Sequence, residues 1–196
     1  RSLTRFVLML LYRVSVKGLE NYEKAGRRVL IISNHTSLLD GILIAAFMPE
    51  KITFAINTHT AHKWWMRPMM SLVNAHQIDP TNPLASRALI KEMRRNNKVM
   101  IFPEGRVTVT GSLMKIYEGT GMIAEKSGAM ILPVRIDGAQ YSPFSYLKKR
   151  LRTRWFPKIT LTMLPPQRFE LPPDVTLRKH RQAVSDKIYD IMVEML

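Results

Sequence analysis

The sequence predicts an α/β fold, a mixed, mostly parallel sheet with helices on both faces. Three observations predict it. Short runs rich in Val and Ile alternate with longer segments of helical period. Two of these runs, "VLIIS" (29–33) and "KVMIF" (98–102), end directly in polar clusters, where sheets of this class gather their ligands. No internal repeat and no linker divides the 196 residues, so 1–196 reads as a single domain.

The elements follow in order. "FVLMLLY" (6–12) is apolar almost all round and flanked by Arg1, Arg5 and Arg13. As a helix it would measure ~10 Å at ~1.5 Å per residue, about a third of a ~30 Å hydrocarbon core. It predicts a short helix that is either buried or lies in a membrane interface. No small-residue cleavage site follows it, which argues against a secretory signal. The chain starts without Met, and we expect a fragment of a longer protein. "RVSVKG" (13–18) and "RRVLIIS" (27–33) read as strands, Leu38 to Phe47 as a helix stopped by Pro49, and "KITFAIN" (51–57) as the next strand. "AHKWWMRPMMSLV" (61–73) predicts a helix kinked near Pro68, and "AHQID" (75–79) a short strand. A helix over 82–97 has Asn82 as N-cap and Pro83 at its first position. "KVMIF" is a buried strand, and 115–128 a helix ended by Gly128. "AMILPVRI" (129–136) is a strand in which Pro133 suggests an edge or a bulge. "KITLTML" (158–164) is another strand, followed by a Pro-rich loop. The last helix sets Val184, Ile188, Ile191 and Met195 on one apolar face.

Composition bounds the function. The formal charge is +15 and the pI about 10.4, which points to anionic partners. The absence of cysteine excludes a disulfide scaffold and thiol chemistry. A nucleic-acid binder is suggested by charge alone, but aromatics are only 8% and no RNA-binding or zinc-finger signature is present. A hydrolase using Ser33 or Ser37 lacks the Gly-x-Ser-x-Gly elbow.

Two clusters carry chemistry. In "NHTSLLD" (34–40), Ser37 and Asp40 fit a capping box, with His35 a polar turn residue. Alternatively, His35 takes a proton from a hydroxyl while Asp40 fixes its tautomer. The readings are compatible, except that Asp40 cannot give the same lone pairs to both tasks. In "FPEGRVTVTG" (102–111), Pro103 ends the strand, Gly105 allows a sharp turn and Arg106 offers a planar fork for phosphate. Gly111 and the hydroxyls of Thr108, Thr110 and Ser112 can line an anion site; the plain alternative is a polar loop with a surface Arg–Glu pair.

Together with "ILPVRI" (131–136), these blocks resemble the glycerophospholipid acyltransferase family over nearly the whole chain. The family's Asn-His-x4-Asp block matches Asn34, His35 and Asp40. Its Phe-Pro-Glu-Gly block matches Phe102, Pro103, Glu104 and Gly105, with Arg106 following. Its Pro-Val pair matches Pro133 and Val134. The resemblance implies the glycerolipid acyltransferase fold and acyl transfer from a thioester to a glycerol hydroxyl. His35 would be the general base, oriented by Asp40. Backbone N–H groups near the start of the Ser37 helix would stabilise the oxyanion. Asn34, Phe102, Pro103, Glu104, Gly105, Arg106 and Pro133 would bind substrate, with Arg106 on the phosphate. No acyl-enzyme, metal or cofactor is implied beyond the donor, acyl-acyl carrier protein or acyl-CoA. His59 and His62 lack further ligands at metal spacing.

One block departs from the family. In "AHQIDPTNP" (75–83), Pro80 stands where an Arg is expected after Asp79, which counts against lysophosphatidic acid as acceptor. This stretch and 102–129 are most similar to the acyltransferase domain of the bacterial bifunctional 2-acylglycerophosphoethanolamine acyltransferase/acyl-[acyl carrier protein] synthetases. That resemblance implies 2-acylglycerophosphoethanolamine as acceptor, a linked synthetase domain, acyl carrier protein as partner, and the cytoplasmic face of the bacterial inner membrane. The alternative acceptor is 1-acylglycerol-3-phosphate. "KKRLRTRWFPK" (148–158) suits anionic lipid or acidic acyl carrier protein, or is a solvated basic face. Trp64, Trp65, Met66, Met69 and Met70 border an acyl groove or the membrane, or simply pack in the core.

Overall fold

The computed structural model describes residues 1–57, 74–78, 83–147, 150–170 and 179–196. The helix expected over 61–73, the cap at Asn82 and the histidines 59 and 62 lie outside these residues. The described helices are α1 (Ser2–Tyr12), α2 (Leu19–Lys24), α3 (Asp40–Phe47), α4 (Pro83–Arg94), α5 (Glu118–Ser127) and α6 (His180–Met195). The strands are β1 (Ser15–Lys17), β2 (Val29–Ser33), β3 (Thr53–Asn57), β4 (Asn74–Ile78), β5 (Lys98–Ile101), β6 (Met130–Asp137), β7 (Thr160–Met163) and β8 (Gln167–Arg168).

They form one sheet in the order β1-β7-β6-β2-β5-β3-β4, with β8 also on β6. β6, β2, β5, β3 and β4 run parallel, whereas β7 and β8 run antiparallel to β6. The sheet is therefore mixed and mostly parallel, as predicted. β2 lies between β5 and β6 and is buried along its whole length, which is why it reads as an uninterrupted apolar run. Its alternate residues face two cores. Val29 and Ile31 pack with Leu8, Tyr12, Tyr22 and Leu43 from α1–α3. Leu30 and Ile32 pack with Leu89, Met93, Ile123, Ile188 and Ile191 from α4–α6. Helices thus cover both faces.

α6 buries the predicted stripe: Val184, Ile188, Ile191 and Met195 are all closed to solvent. α5 ends at Gly128 in the left-handed conformation, as expected. Its Gly121 lets α6 approach, since a Cβ there would stand 2.4 Å from the Val184 carbonyl oxygen. Three elements among the described residues were not anticipated: the short helix α2, a 3-10 turn at Ala139–Tyr141, and the two-residue β8 inside the Pro-rich loop.

Pro133 corrects an expectation. It lies in an interior strand, opposite Ile32 of β2, not at a sheet edge. In a strand, one residue's N–H and C=O point to the same side. The Pro133 carbonyl accepts from the Leu164 N–H, so the missing donor faces the break between β7 and β8. The interruption is in the neighbouring segment, and the ladder with β2 is left intact.

α1 is docked through a narrow stripe. Leu8 and Tyr12 are buried, while Leu3, Phe6, Val7, Met9, Leu10 and Leu11 are exposed. No described helix is long and apolar enough to cross a membrane.

Candidate active site

The site forms where β2 and β5 end side by side. Ile32 and Ile101 are paired residues, so the turns that follow them meet. Asn34 secures the first turn. Its side-chain oxygen accepts from the Ile136 N–H and its Nδ2 donates to the Ile136 carbonyl, both at 2.9 Å. The amide thus acts as one more rung between β2 and β6.

His35 is fixed on every side. Its N–H donates to Glu104 Oε1 (3.2 Å) and its carbonyl accepts from the Thr108 N–H (2.7 Å). Its ring stacks on Phe102, with centroids 3.9 Å apart and planes 14° from parallel. Its Nδ1 lies 3.0 Å from Asp40 Oδ2. Asp40 is fully buried, while the His35 side chain keeps 17% of its surface exposed. A carboxylate at Nδ1 holds the proton there and leaves Nε2 with a lone pair, the state a general base requires.

The same Asp40 oxygen also accepts the N–H groups of Thr36 (2.6 Å) and Ser37 (2.8 Å). This is half of the expected capping box, the acid reaching back to the Ser37 N–H. The other half is absent. α3 begins at Asp40 with Leu39 as N-cap, because the Ser37 hydroxyl takes the Leu39 N–H, in a tighter turn than a cap needs. The opening alternatives therefore merge, with one oxygen serving both turn and imidazole. Asp40 Oδ1 is buried without a hydrogen-bond partner among the described residues.

Two further expectations change. The N–H groups of Thr36 and Ser37 are spent on Asp40, that of Leu38 on the Phe144 carbonyl, and that of Leu39 on Ser37. They cannot serve an oxyanion. The Thr108 hydroxyl accepts from the N–H groups of Thr110 and Gly111 and donates to the Ser112 carbonyl. The hydroxyls of Thr108 and Thr110 close their own loop, so they do not line an anion site.

Glu104 faces inward rather than toward solvent, only 3% exposed. Its second oxygen accepts from the Met114 N–H (3.1 Å). Burial pushes its carboxyl above the usual range, opposed by the N–H bonds from Met114 and His35. It makes no surface pair with Arg106, which is exposed and has no polar partner among the described residues. Pro103 is buried and its carbonyl takes the Tyr117 N–H. Gly105 adopts φ +66° beneath the Tyr117 ring, where a Cβ would stand 2.8 Å from a ring carbon.

The structure therefore joins Asn34, His35, Asp40, Phe102 and Glu104 in one cluster, with Gly105 and Arg106 at its rim and Pro133 in the sheet beside Ile32. Sequence reasoning missed Ser142 and Ser145. Ser145 Oγ donates to the Thr36 carbonyl (2.7 Å), and the Ser37 and Ser142 hydroxyls share a bond of 3.0 Å. No local pattern marks these serines. A recess lined by Glu50, Thr53, Asn74 and Lys98 lies at the opposite edge, where β3, β4 and β5 begin, away from this chemistry. Among the described residues, no group of three or more acidic, His or Cys side chains is arranged to hold a metal.

A mostly parallel sheet carrying a His–Asp pair on the turn after its central strand defines the class. The chain belongs to the acyltransferase family: the family model described as Acyltransferase matches residues 13–137. It is 30% identical over 141 residues to a 1-acyl-sn-glycerol-3-phosphate acyltransferase of Cocos nucifera, covering 69% of this chain and 45% of that protein. It is 27% identical over 146 residues to a protein of the same name from Pseudomonas aeruginosa, covering 72% and 55%. The chain thus spans about half the length of these relatives. The structure is also similar to the crystal structure of the 1-acyl-sn-glycerophosphate (LPA) acyltransferase PlsC from Thermotoga maritima. The TM-score is 0.62 over 98% of this chain and 81% of that one, and at 22% identity the likeness is one of fold.

Proposed function

We propose that this chain transfers a fatty acyl group from a thioester to the free hydroxyl of a lysophospholipid, with 1-acylglycerol-3-phosphate as acceptor. The observation that carries the reading is the His35–Asp40 pair, with Nδ1 and Oδ2 3.0 Å apart, in a chain of the acyltransferase family. The names of the relatives favour the phosphate monoester acceptor.

The steps balance without a covalent enzyme intermediate. His35 Nε2 removes the hydroxyl proton as the oxygen attacks the thioester carbonyl. The tetrahedral intermediate collapses, the C–S bond breaks, and the thiolate takes the proton back from His35. Asp40 keeps the Nδ1 proton in place and stabilises the imidazolium. Phe102 holds the ring plane, and Glu104 holds the backbone beneath it. Arg106, exposed at the rim, binds the acceptor phosphate. Acyl-acyl carrier protein and acyl-CoA both fit as donors, and the chemistry calls for no metal or cofactor.

A second acceptor, 2-acylglycerophosphoethanolamine, is favoured by one observation, Pro80 in the place of the expected Arg. That reading carries a linked synthetase domain and a site at the cytoplasmic face of the bacterial inner membrane. Acyl transfer with each acceptor and each donor, measured for the wild type and His35→Ala, decides. Diacyl product from 1-acylglycerol-3-phosphate, lost in the variant, supports the reading. Product only from the ethanolamine lipid moves the assignment to the second acceptor. No product from folded protein with any pair refutes both.

A further inference from the structure

The turn that carries His35 is held from two sides. On one side stands the loop after β5, where Glu104 takes the His35 N–H and Thr108 donates to the His35 carbonyl. On the other side stands a segment that follows β6. Three consecutive residues of the turn are gripped by residues 142–145. Ser145 Oγ donates to the Thr36 carbonyl at 2.7 Å, and the Ser37 and Ser142 hydroxyls share a bond of 3.0 Å. The Leu38 N–H donates to the Phe144 carbonyl at 3.2 Å. Ser37 and Ser145 thereby pair as an isolated antiparallel bridge.

The gripping segment is itself anchored. Ala139 and Leu147 are buried at its two ends, and Ser142 and Ser145 are closed to solvent between them. Gly138, at φ +94°, enters the segment so close to the next strand that a Cβ would stand 2.0 Å from the Lys158 carbonyl oxygen. The Ser145 N–H donates to the Ser142 carbonyl, and Ser145 Oγ accepts the Leu147 N–H at 3.1 Å. Another buried serine separates the ordinary part of this pattern from the unusual part. Ser127 Oγ likewise accepts an N–H two residues on, from Ala129, and donates to a carbonyl. Its carbonyl is that of Ala124, three residues back in α5, so Ser127 closes a local turn. Ser145 spends the same hydroxyl proton across 109 residues, on the turn that holds His35.

We propose that residues 142–145 are a strap that positions the His35–Asp40 pair, with Ser145 as its principal positioning residue. The Thr36 carbonyl and the Ser37 N–H are the two ends of one peptide group. Ser145 Oγ donates to the first, and Asp40 Oδ2 accepts from the second at 2.8 Å. In a planar trans peptide these ends point in opposite directions, so fixing the carbonyl aims the N–H. Donation to the carbonyl also polarises the amide and strengthens its N–H as a donor. Ser142 holds the hydroxyl of the same Ser37. Without the strap the peptide is free to swing, and Asp40 Oδ2 loses one of the three groups that fix it beside Nδ1. Which ring nitrogen of a histidine keeps its proton is set by the partner the ring meets. Ser145 bonds neither His35 nor Asp40; it acts through the turn. The strap's hold on the pair stands on this geometry, and its bearing on rate rests on the function proposed above.

The test reads the ring itself, by NMR of the whole chain labelled with 15N-histidine, the His35 signals being assigned by their loss in His35→Ala. The variants are Ser145→Ala, Ser145→Thr, Ser142→Ala and, as the matched control at the other end of the sheet, Ser127→Ala. We expect the wild type to carry the His35 proton on Nδ1. Ser145→Ala should shift His35 toward a mixture of the two tautomers, Ser145→Thr should restore the wild-type signal, and Ser127→Ala should leave it unmoved. In acyl transfer, Ser145→Ala should lower kcat roughly 10- to 100-fold with acceptor KM nearly unchanged. Added to Asp40→Asn it should cost nothing more, because it acts through Asp40. An unmoved tautomer in folded Ser145→Ala overturns the strap, as does an equal shift in Ser127→Ala or a full further loss on top of Asp40→Asn. If Ser145→Ala does not fold, Ser142→Ala reads the strap through Ser37, and an unmoved tautomer there overturns it equally. A tautomer shift in a chain that transfers no acyl group to any acceptor supports the strap and refutes the function reading instead.

Discussion

Asp40 Oδ2 lies 3.0 Å from His35 Nδ1 and at the same time receives the N–H groups of Thr36 and Ser37. One buried oxygen thus serves both the turn and the imidazole. Changing Asp40 must therefore be read with stability and activity side by side. In Asp40→Asn the amide oxygen can still accept the backbone N–H groups of Thr36 and Ser37 but no longer carries the negative charge beside Nδ1. We expect a loss of kcat on the order of 10²–10⁴-fold. His35→Ala should show a similar loss and a lower melting temperature, since it removes the ring stacked on Phe102 and a partner of buried Asp40. Calorimetry and acyl-transfer rates on both variants check this; equal rates for Asp40→Asn and wild type would remove Asp40 from the mechanism.

Phe102 is a platform for the imidazole. Phe102→Leu preserves much of the apolar volume but removes the flat face. The expected outcome is about a tenfold fall in kcat with acceptor KM nearly unchanged. A rise in KM alone would show that the ring binds substrate instead.

Glu104 makes stability depend on pH. Its carboxyl is raised by burial, so the folded state holds the proton more tightly than the unfolded chain. This contribution is fully present below the ordinary glutamate value. It is lost as pH rises from there through the raised folded value. Glu104→Gln should abolish that part of the pH dependence. It should also cost about 1–3 kcal/mol, because the amide nitrogen cannot accept a backbone N–H as the carboxylate does. Denaturant midpoints measured across pH 4 to 8, roughly the range in which such groups titrate, test both effects.

Gly105 meets two constraints at once, a positive φ and the Tyr117 ring above it. Gly105→Ala should destabilise by about 1–2 kcal/mol from the left-handed backbone alone, plus the clash. Adding Tyr117→Ala should recover the clash and leave the backbone cost. A double variant no more stable than Gly105→Ala would show that the ring moves aside freely.

Arg106 is exposed and free of polar partners among the described residues, so its removal should leave the fold alone. For Arg106→Gln we expect an unchanged melting temperature and a KM for 1-acylglycerol-3-phosphate raised roughly ten- to a hundredfold, the worth of a charge-assisted hydrogen bond. An unchanged KM would place the phosphate elsewhere.

Local pattern by itself determined most of the described strands and helices, the buried character of β5, the apolar stripe of α6 and its four inward residues, and the two polar clusters that meet beyond β2 and β5. Each is written in a period of two or 3.6, or in a short polar run after a strand, and needs no distant partner. What only the tertiary structure decided depends on contacts between residues far apart in the chain. The Glu104 carboxylate turns inward because the His35 N–H lies 69 residues earlier, and Ser145 meets Thr36 across 109. Pro133 sits inside the sheet because the break between β7 and β8 falls opposite it. The turn N–H groups are closed to an oxyanion because Asp40 and the Phe144 segment claim them first. A buried hydrogen-bonding group must find a partner, and which partner it finds is settled by the packing of the sheet, not by the sequence beside it.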